Sequence, residues 1–274
     1  MKNSIVLFTV IISNFIFSQT YRFIYDVESR KDSTLTLITK ENYHLDINGE
    51  EVNYYTRDFF IADSLIINNL PFSQNIKLNT SNIVSHKKGN NNFEEYDIIE
   101  NIVLNLKTID TQDWILTNEK KTINGLSIQK ATTKWGGRDW IAWFTESIPF
   151  QEGPYKFHGL PGLIVELEDI KGNYKFSLVK SENLKNNYVN QFIGMSKKLS
   201  VSVNWEKYKS IKLSYYSSPI GFIRNNVGAS IGSDIFLNDG TKVNKVNERE
   251  KNENLRSLIK KYNNPIDLNK SIKY

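Results

Sequence analysis

Apolar and polar residues alternate along much of this chain, beginning with Tyr21, Phe23, Tyr25 and Val27 set against Arg22 and Asp26. A period of two sends successive side chains to opposite faces of a ribbon, so each such run predicts a half-buried β-strand. The pattern returns over residues 33–39, where Leu35 and Leu37 alternate with threonines. It returns again at 43–47, 52–61, 82–86 and 96–108. Asn48-Gly49 lies between two of these runs and is a hairpin signal, since both residue types accept φ > 0. The first third therefore predicts an antiparallel meander. Residues 68–92, rich in asparagine, predict loops around one short strand.

Residues 121–145 carry a second hairpin pattern, turned at Gly136-Gly137. In its second arm Trp140, Ala142 and Phe144 share one face, while Ile141 and Trp143 share the other. Apolar groups on both faces predict a strand covered on both sides. Turn signals follow at Gly153-Pro154 and at Leu160-Pro161-Gly162-Leu163, the latter predicting a type II turn. The chain then alternates through Val165, Glu166, Leu167 and Glu168, turns at Lys171-Gly172-Asn173, and alternates again over 174–179. Helical spacing comes late. Trp205, Tyr208 and Lys212 follow the caps Ser202 and Asn204, and Leu255, Leu258, Ile259 and Tyr262 precede Pro265. Residues 217–221 and 239–241 predict turns. The whole reads as α+β and β-dominated: a large curved antiparallel sheet, half-barrel-like, with a few helices mostly in the C-terminal third.

The first residues stand apart from this pattern. Lys2 gives a positive start, residues 5–17 are almost entirely apolar, and Ser18 is a small residue before Gln19. This predicts a secretory signal peptide over 1–18 and a single domain over 19–274. The apolar run is shorter than the ~20 residues of a membrane span, and no second run follows. Removing Lys2 lowers the net charge from +5 to +4, with lysine doublets scattered among acids. No basic stripe accompanies a recognised motif, so the sequence predicts no nucleic-acid partner. The absence of cysteine excludes disulfides, thiol chemistry and cysteine-bound zinc.

Gly159-Leu160-Pro161-Gly162-Leu163-Ile164 is the hexamer for which the GLPGLI family of exported, Bacteroidetes-type bacterial proteins is named. The chain resembles that family over roughly residues 114–179, including Gln129, Ala142-Trp143-Phe144-Thr145 and Gly153-Pro154-Tyr155-Lys156-Phe157, and again at 263–268. Leu126-Ser127-Ile128 departs from the Tyr and Cys that relatives often carry. The resemblance implies export and no reaction.

Candidate chemistry concentrates near the hexamer, which itself reads as a structural motif. Arg138, Trp140, Trp143, Tyr155 and Lys156 could line a groove for an amphiphile or peptide, with Lys156 exposed between two rings. His158 completes the candidate ligand-binding set. The histidines lack paired metal-ligand spacing, so no metal or cofactor is predicted. No Gly-x-Ser-x-Gly elbow or phosphate loop appears. The sequence points to a non-catalytic exported binding or carrier protein for a lipid, peptide or outer-membrane protein. The alternatives are an envelope hydrolase using His158 with a nearby carboxylate, and a docking partner of an outer-membrane transporter or assembly.

Overall fold

A computed structural model describes residues 19–71, 83–100, 102–184, 187–237 and 240–274; the expected signal peptide lies outside the described residues. The first meander runs through β1 (Thr20–Ser29), β2 (Thr39–Asn48), β3 (Glu51–Thr56), β4 (Ile83–Lys87), β5 (Asn92–Ile99) and β6 (Ile102–Ile109). A second comprises β7 (Ile115–Ile123), β8 (Leu126–Trp135), β9 (Arg138–Thr145), β10 (Leu163–Asp169) and β11 (Tyr174–Leu184). β11 pairs antiparallel with β1, and β12 (Val201–Val203) adds to β6 in parallel. The result is one open twelve-stranded sheet in the order β12-β6-β5-β4-β3-β2-β1-β11-β10-β9-β8-β7.

The sheet curves strongly. β5 and β9 are seven strand spacings apart, which in a flat sheet would be about 34 Å at ~4.8 Å per spacing. Yet Phe93 on β5 packs in the same buried cluster as Trp140, Ala142 and Phe144 on β9. Between those faces lies the chain that joins β9 to β10. Helix α1 (Arg57–Ile67) and α2 (Gln191–Leu199) cover a separate cluster of Tyr55, Phe59, Ile83, Tyr96, Ile98 and Ile193. Tyr96 and Ile98 alternate along β5 with Phe93, so these two helices sit on the outer face. Helices α3 (Trp205–Ser217), α4 (Pro219–Val227) and α5 (Glu248–Lys261) pack on Ile99 and Leu104 with the short hairpin β13 (Ile235–Phe236) and β14 (Lys242–Val243).

Several expectations need correction. Residues 33–38 form no strand, and Leu35 and Leu37 are exposed. The run over 52–61 divides: the strand ends at Thr56 and α1 begins at Arg57. The run over 96–108 is two strands, β5 and β6, reversed where Glu100 takes φ 52°. Residues 217–221 start a helix, with Pro219 in its first turn, where a missing N–H is tolerated. Only one face of β9 is fully covered, since Ile141 and Trp143 are half-exposed. Of the two expected caps, Asn204 accepts from the Lys207 amide at 2.9 Å, while Ser202 lies within β12 and does not cap the helix.

The hexamer does not form a type II turn. Gly162 N–H donates to Leu160 O at 2.7 Å, a three-residue γ-turn centred on Pro161. Gly162 has φ 149°, and a Cβ there would lie 2.1 Å from Thr145 O and 2.5 Å from its carbonyl carbon. Glycine is required because β9 and β10 touch backbone to backbone at this point. Gly162→Ala is expected to destabilise the protein by about 3 kcal/mol or more, read from urea unfolding; a loss under about 1 kcal/mol would contradict that close approach.

Candidate functional site

β9 and β10 are neighbours, yet seventeen residues, 146–162, separate them where a tight turn would suffice. The segment folds back on itself through Gly159 N–H to Gln151 O (2.9 Å) and Phe157 N–H to Pro154 O (3.2 Å). It is fixed to the start of β10 by Ile164 N–H to Glu152 O at 3.0 Å. A Cβ on Gly153 would meet Ile164 and the Phe157 carbonyl within 2.9 Å, so the fold-back needs glycine there. Phe157 and Leu160 are buried within the main core, and the Phe157 ring stands edge-on to Trp140 (4.7 Å) and Trp135 (5.0 Å). The segment thus fills the concave face of the sheet.

Its polar side chains are buried too, which corrects the expectation of an exposed Lys156. The Lys156 side chain is 0 % exposed. Its Nζ lies 2.6 Å from Glu95 Oε1, 2.9 Å from Asp110 Oδ2 and 2.9 Å from Thr108 Oγ1. Tyr155 holds a left-handed φ of 60° and donates its hydroxyl to Glu95 Oε2 at 2.9 Å. Lys270 adds a second ammonium, 3.6 Å from Glu95 and 3.5 Å from Asp267. Burial opposes the Lys156 charge, but the two carboxylates outweigh it and hold the amine above its ordinary value. Burial pushes the Asp110 carboxyl up, but the charge and hydrogen bond of Lys156, the Thr108 hydroxyl and the charge of Lys270 together hold it below its ordinary value.

The other expected site residues part company. Arg138 is buried and donates to Asp169 Oδ2 (3.2 Å), Asn264 Oδ1 (2.6 Å), and the carbonyls of Pro265 (2.7 Å) and Ile266 (3.0 Å). It ties the C-terminal stretch over the β8–β9 turn. Trp140 is fully buried and donates its indole N–H to Trp135 O. Trp143 lies on the opposite face of β9, half-exposed, with Lys121 Nζ 4.1 Å from its ring and Glu166 holding that amine at 2.7 Å. The six residues do not line one groove.

His158 is also buried. Its Nδ1 faces Lys156 O at 3.0 Å and its Nε2 faces Asn91 Oδ1 at 2.8 Å. Burial holds its pKa below the usual histidine value despite the carbonyl of Lys156 and the charge of Glu152. Neither nitrogen contacts a carboxylate, and the hydrolase reading loses its geometric support. The histidine–carboxylate pair is instead His86 Nε2 with Glu152 Oε2 at 3.0 Å, both almost fully buried. Nothing in the sequence links those two, 66 residues apart in separate runs; only the curvature of the sheet joins them. Among the described residues, no group of three or more His, Asp or Glu side chains could hold a metal ion.

One concavity remains open beside the filled centre. It measures about 290 Å³ and is walled by Tyr21 and Phe23 of β1, Ile148, Pro149 and Phe150 of the segment, and the Ser181–Asn183 end of β11. Phe150 lies 4.9 Å from the Tyr21 ring and 5.7 Å from the Phe23 ring.

Fold and site together define an open-sheet α+β protein whose concave face is occupied by its own β9–β10 connection. The model of a family described as "Protein of unknown function (Porph_ging)" matches residues 136–166, from the β8–β9 turn into β10. Two solved structures of PNGF-II, in space groups P21 and C2, share the fold with TM-scores of 0.51 and 0.52 at 14 % identity. Each comparison covers 70 % of this chain but only 33 % and 32 % of the PNGF-II chain, so this chain spans about a third of those proteins. No curated protein matches the chain.

Lys156→Met would leave two buried carboxylates facing each other and is expected to lower unfolding free energy by about 3–5 kcal/mol in chemical denaturation. Stability should also fall as pH drops from 6.5 toward 4. His44 is pushed down to about 4, chiefly by burial, and His158 also lies low. The unfolded chain then binds protons that the folded chain refuses. A flat denaturation midpoint between pH 7 and 4.5 would contradict the burial of these rings.

Proposed function

We propose that this is an exported, non-catalytic binding protein whose ligand-holding surface is the groove between β1 and residues 147–150. The reading rests on one contrast. The reactive side chains near the hexamer (Lys156, His158, His86, Glu152 and Arg138) are buried and engaged with protein partners. The adjoining groove is open, aromatic on its floor, and polar at its rim through Ser147, Ser181, Glu182 and Asn183. Such a site accommodates an apolar group and orients whatever polar part follows it. An acyl chain and the apolar side chains of an extended peptide both supply that chemistry. Export is supported by the basic-then-apolar pattern of residues 1–17 and by the resemblance to GLPGLI proteins.

Native mass spectrometry of protein purified from the envelope of the producing cell tests this reading. The mature mass should begin at Gln19, and the wild type should carry an apolar adduct that Phe150→Ala loses and Trp143→Ala keeps. Unchanged adduct in Phe150→Ala, with an unchanged far-ultraviolet circular dichroism spectrum, would refute the groove. An unprocessed chain would refute export.

A further inference from the structure

We propose that Lys156 and Asp110 are joined in the folded protein by an intramolecular amide bond, formed autocatalytically with Glu95 as the proton carrier. Three observations converge on it. The amine is sealed from solvent and stands 2.9 Å from Asp110 Oδ2, so nucleophile and carboxyl are held at contact distance. A second carboxylate, Glu95, approaches the same Nζ to 2.6 Å at a side-chain exposure of 6 %. Thr108 hydrogen-bonds Asp110 Oδ2 and also lies 2.9 Å from Nζ, fixing the carboxyl relative to the amine.

The two acids differ in what they can do. Glu95 sits inside β5, and its other oxygen is held by the Tyr155 hydroxyl. Asp110 follows the last residue of β6; its amide still bonds Asn91 O at 3.0 Å, but its side chain is the shorter and the more exposed of the two. Asp110 is therefore placed to move onto the amine, and Glu95 to stay and pass protons. Because the acids keep Lys156 protonated, the step begins with transfer of one proton from Nζ to Glu95, not with a free amine.

The neutral amine then attacks Cγ of Asp110. The new C–N bond forms, one C–O bond of the carboxyl breaks, and its electron pair leaves with the oxygen. Two of the three ammonium protons end on that oxygen, one by way of Glu95, and depart as water; the third stays on the amide nitrogen. Charge balances: one ammonium and one carboxylate become a neutral amide, and Glu95 returns to its starting form. No oxidant or co-reactant is required. Lys270 Nζ, buried without a hydrogen-bond partner 3.6 Å from Glu95, remains to balance that carboxylate afterwards. In a chain without cysteine, such a bond would tie the filling segment to the end of β6 covalently.

Peptide mapping of the purified wild-type protein, held folded at neutral pH and then denatured and digested, tests the bond. Expected is a linked peptide pair containing Asp110 and Lys156, lighter by one water than the sum of its parts, with no cleavage after Lys156. Cyclisation of an N-terminal Gln19 loses ammonia from a different peptide and is not confused with it. The pair should be absent from Lys156→Arg and strongly reduced in Glu95→Gln. Linear peptides at full mass in the wild type would overturn the proposal whether or not the variants fold. A bridge from Lys156 to Glu95 would overturn the roles given to the two acids.

Discussion

A buried ammonium cannot stand alone, and the place where Lys156 finds its partners fixes how this sheet curves. Its carboxylates come from β5 and from the residue after β6, near one edge of the sheet, while Lys156 itself arrives from between β9 and β10, near the other. Desolvating an amine costs several kcal/mol, and only close, well-directed carboxylates offset that. The two halves of the sheet must therefore approach until Nζ meets Glu95 and Asp110. The apolar layer follows the same geometry, with Phe157 against Trp140 and Trp135, and His158 edge-on to Phe93 at 5.2 Å. Charge pairing sets the distance between the halves, and aromatic packing fills what lies between them.

The hexamer takes its meaning from this arrangement. Gly162 lets β10 start directly against Thr145 of β9, while the seventeen residues before the strand loop into the concavity. Arg138 performs the matching task at the outer turn, holding the carbonyls of Pro265 and Ile266 so that the C-terminal stretch closes over Gly136 and Gly137. These contacts leave the protein's most reactive-looking groups inaccessible. What stays uncovered is the groove at the end of β1 and β11, where the half-buried rings of Tyr21 and Phe150 lie over the buried Phe23.

Much of the ladder was legible because alternation survives wherever one face is buried and the other wet, as in β1 and the β8–β9 hairpin. It failed where both faces gain cover or neither does. Phe59 continues the apolar run of β3 but belongs to α1, where Phe59, Ala62 and Asp63 at i, i+3, i+4 form the buried stripe of the helix. Leu35 and Leu37 alternate yet find nothing to pack on. The structural role of the hexamer was readable from its proline and glycines, though not the γ-turn they make. The burial of Lys156 was not readable: a lysine beside two rings looks the same whether it faces solvent or two acids 46 and 61 residues away in the chain. His86 with Glu152 was hidden for the same reason. Local pattern reports which face of a strand is covered; only the closure of the sheet reports by what.

If the segment is an integral part of the core, its amides should open only when the whole molecule unfolds. Native-state hydrogen exchange of Phe157 and Gly159, whose N–H groups bond Pro154 and Gln151 inside the concavity, measures this directly. Protection equal to that of central β1 and β11 amides is the expected result. Exchange through local opening, well below the global unfolding free energy, would mean that the segment is a removable lid over an open cavity.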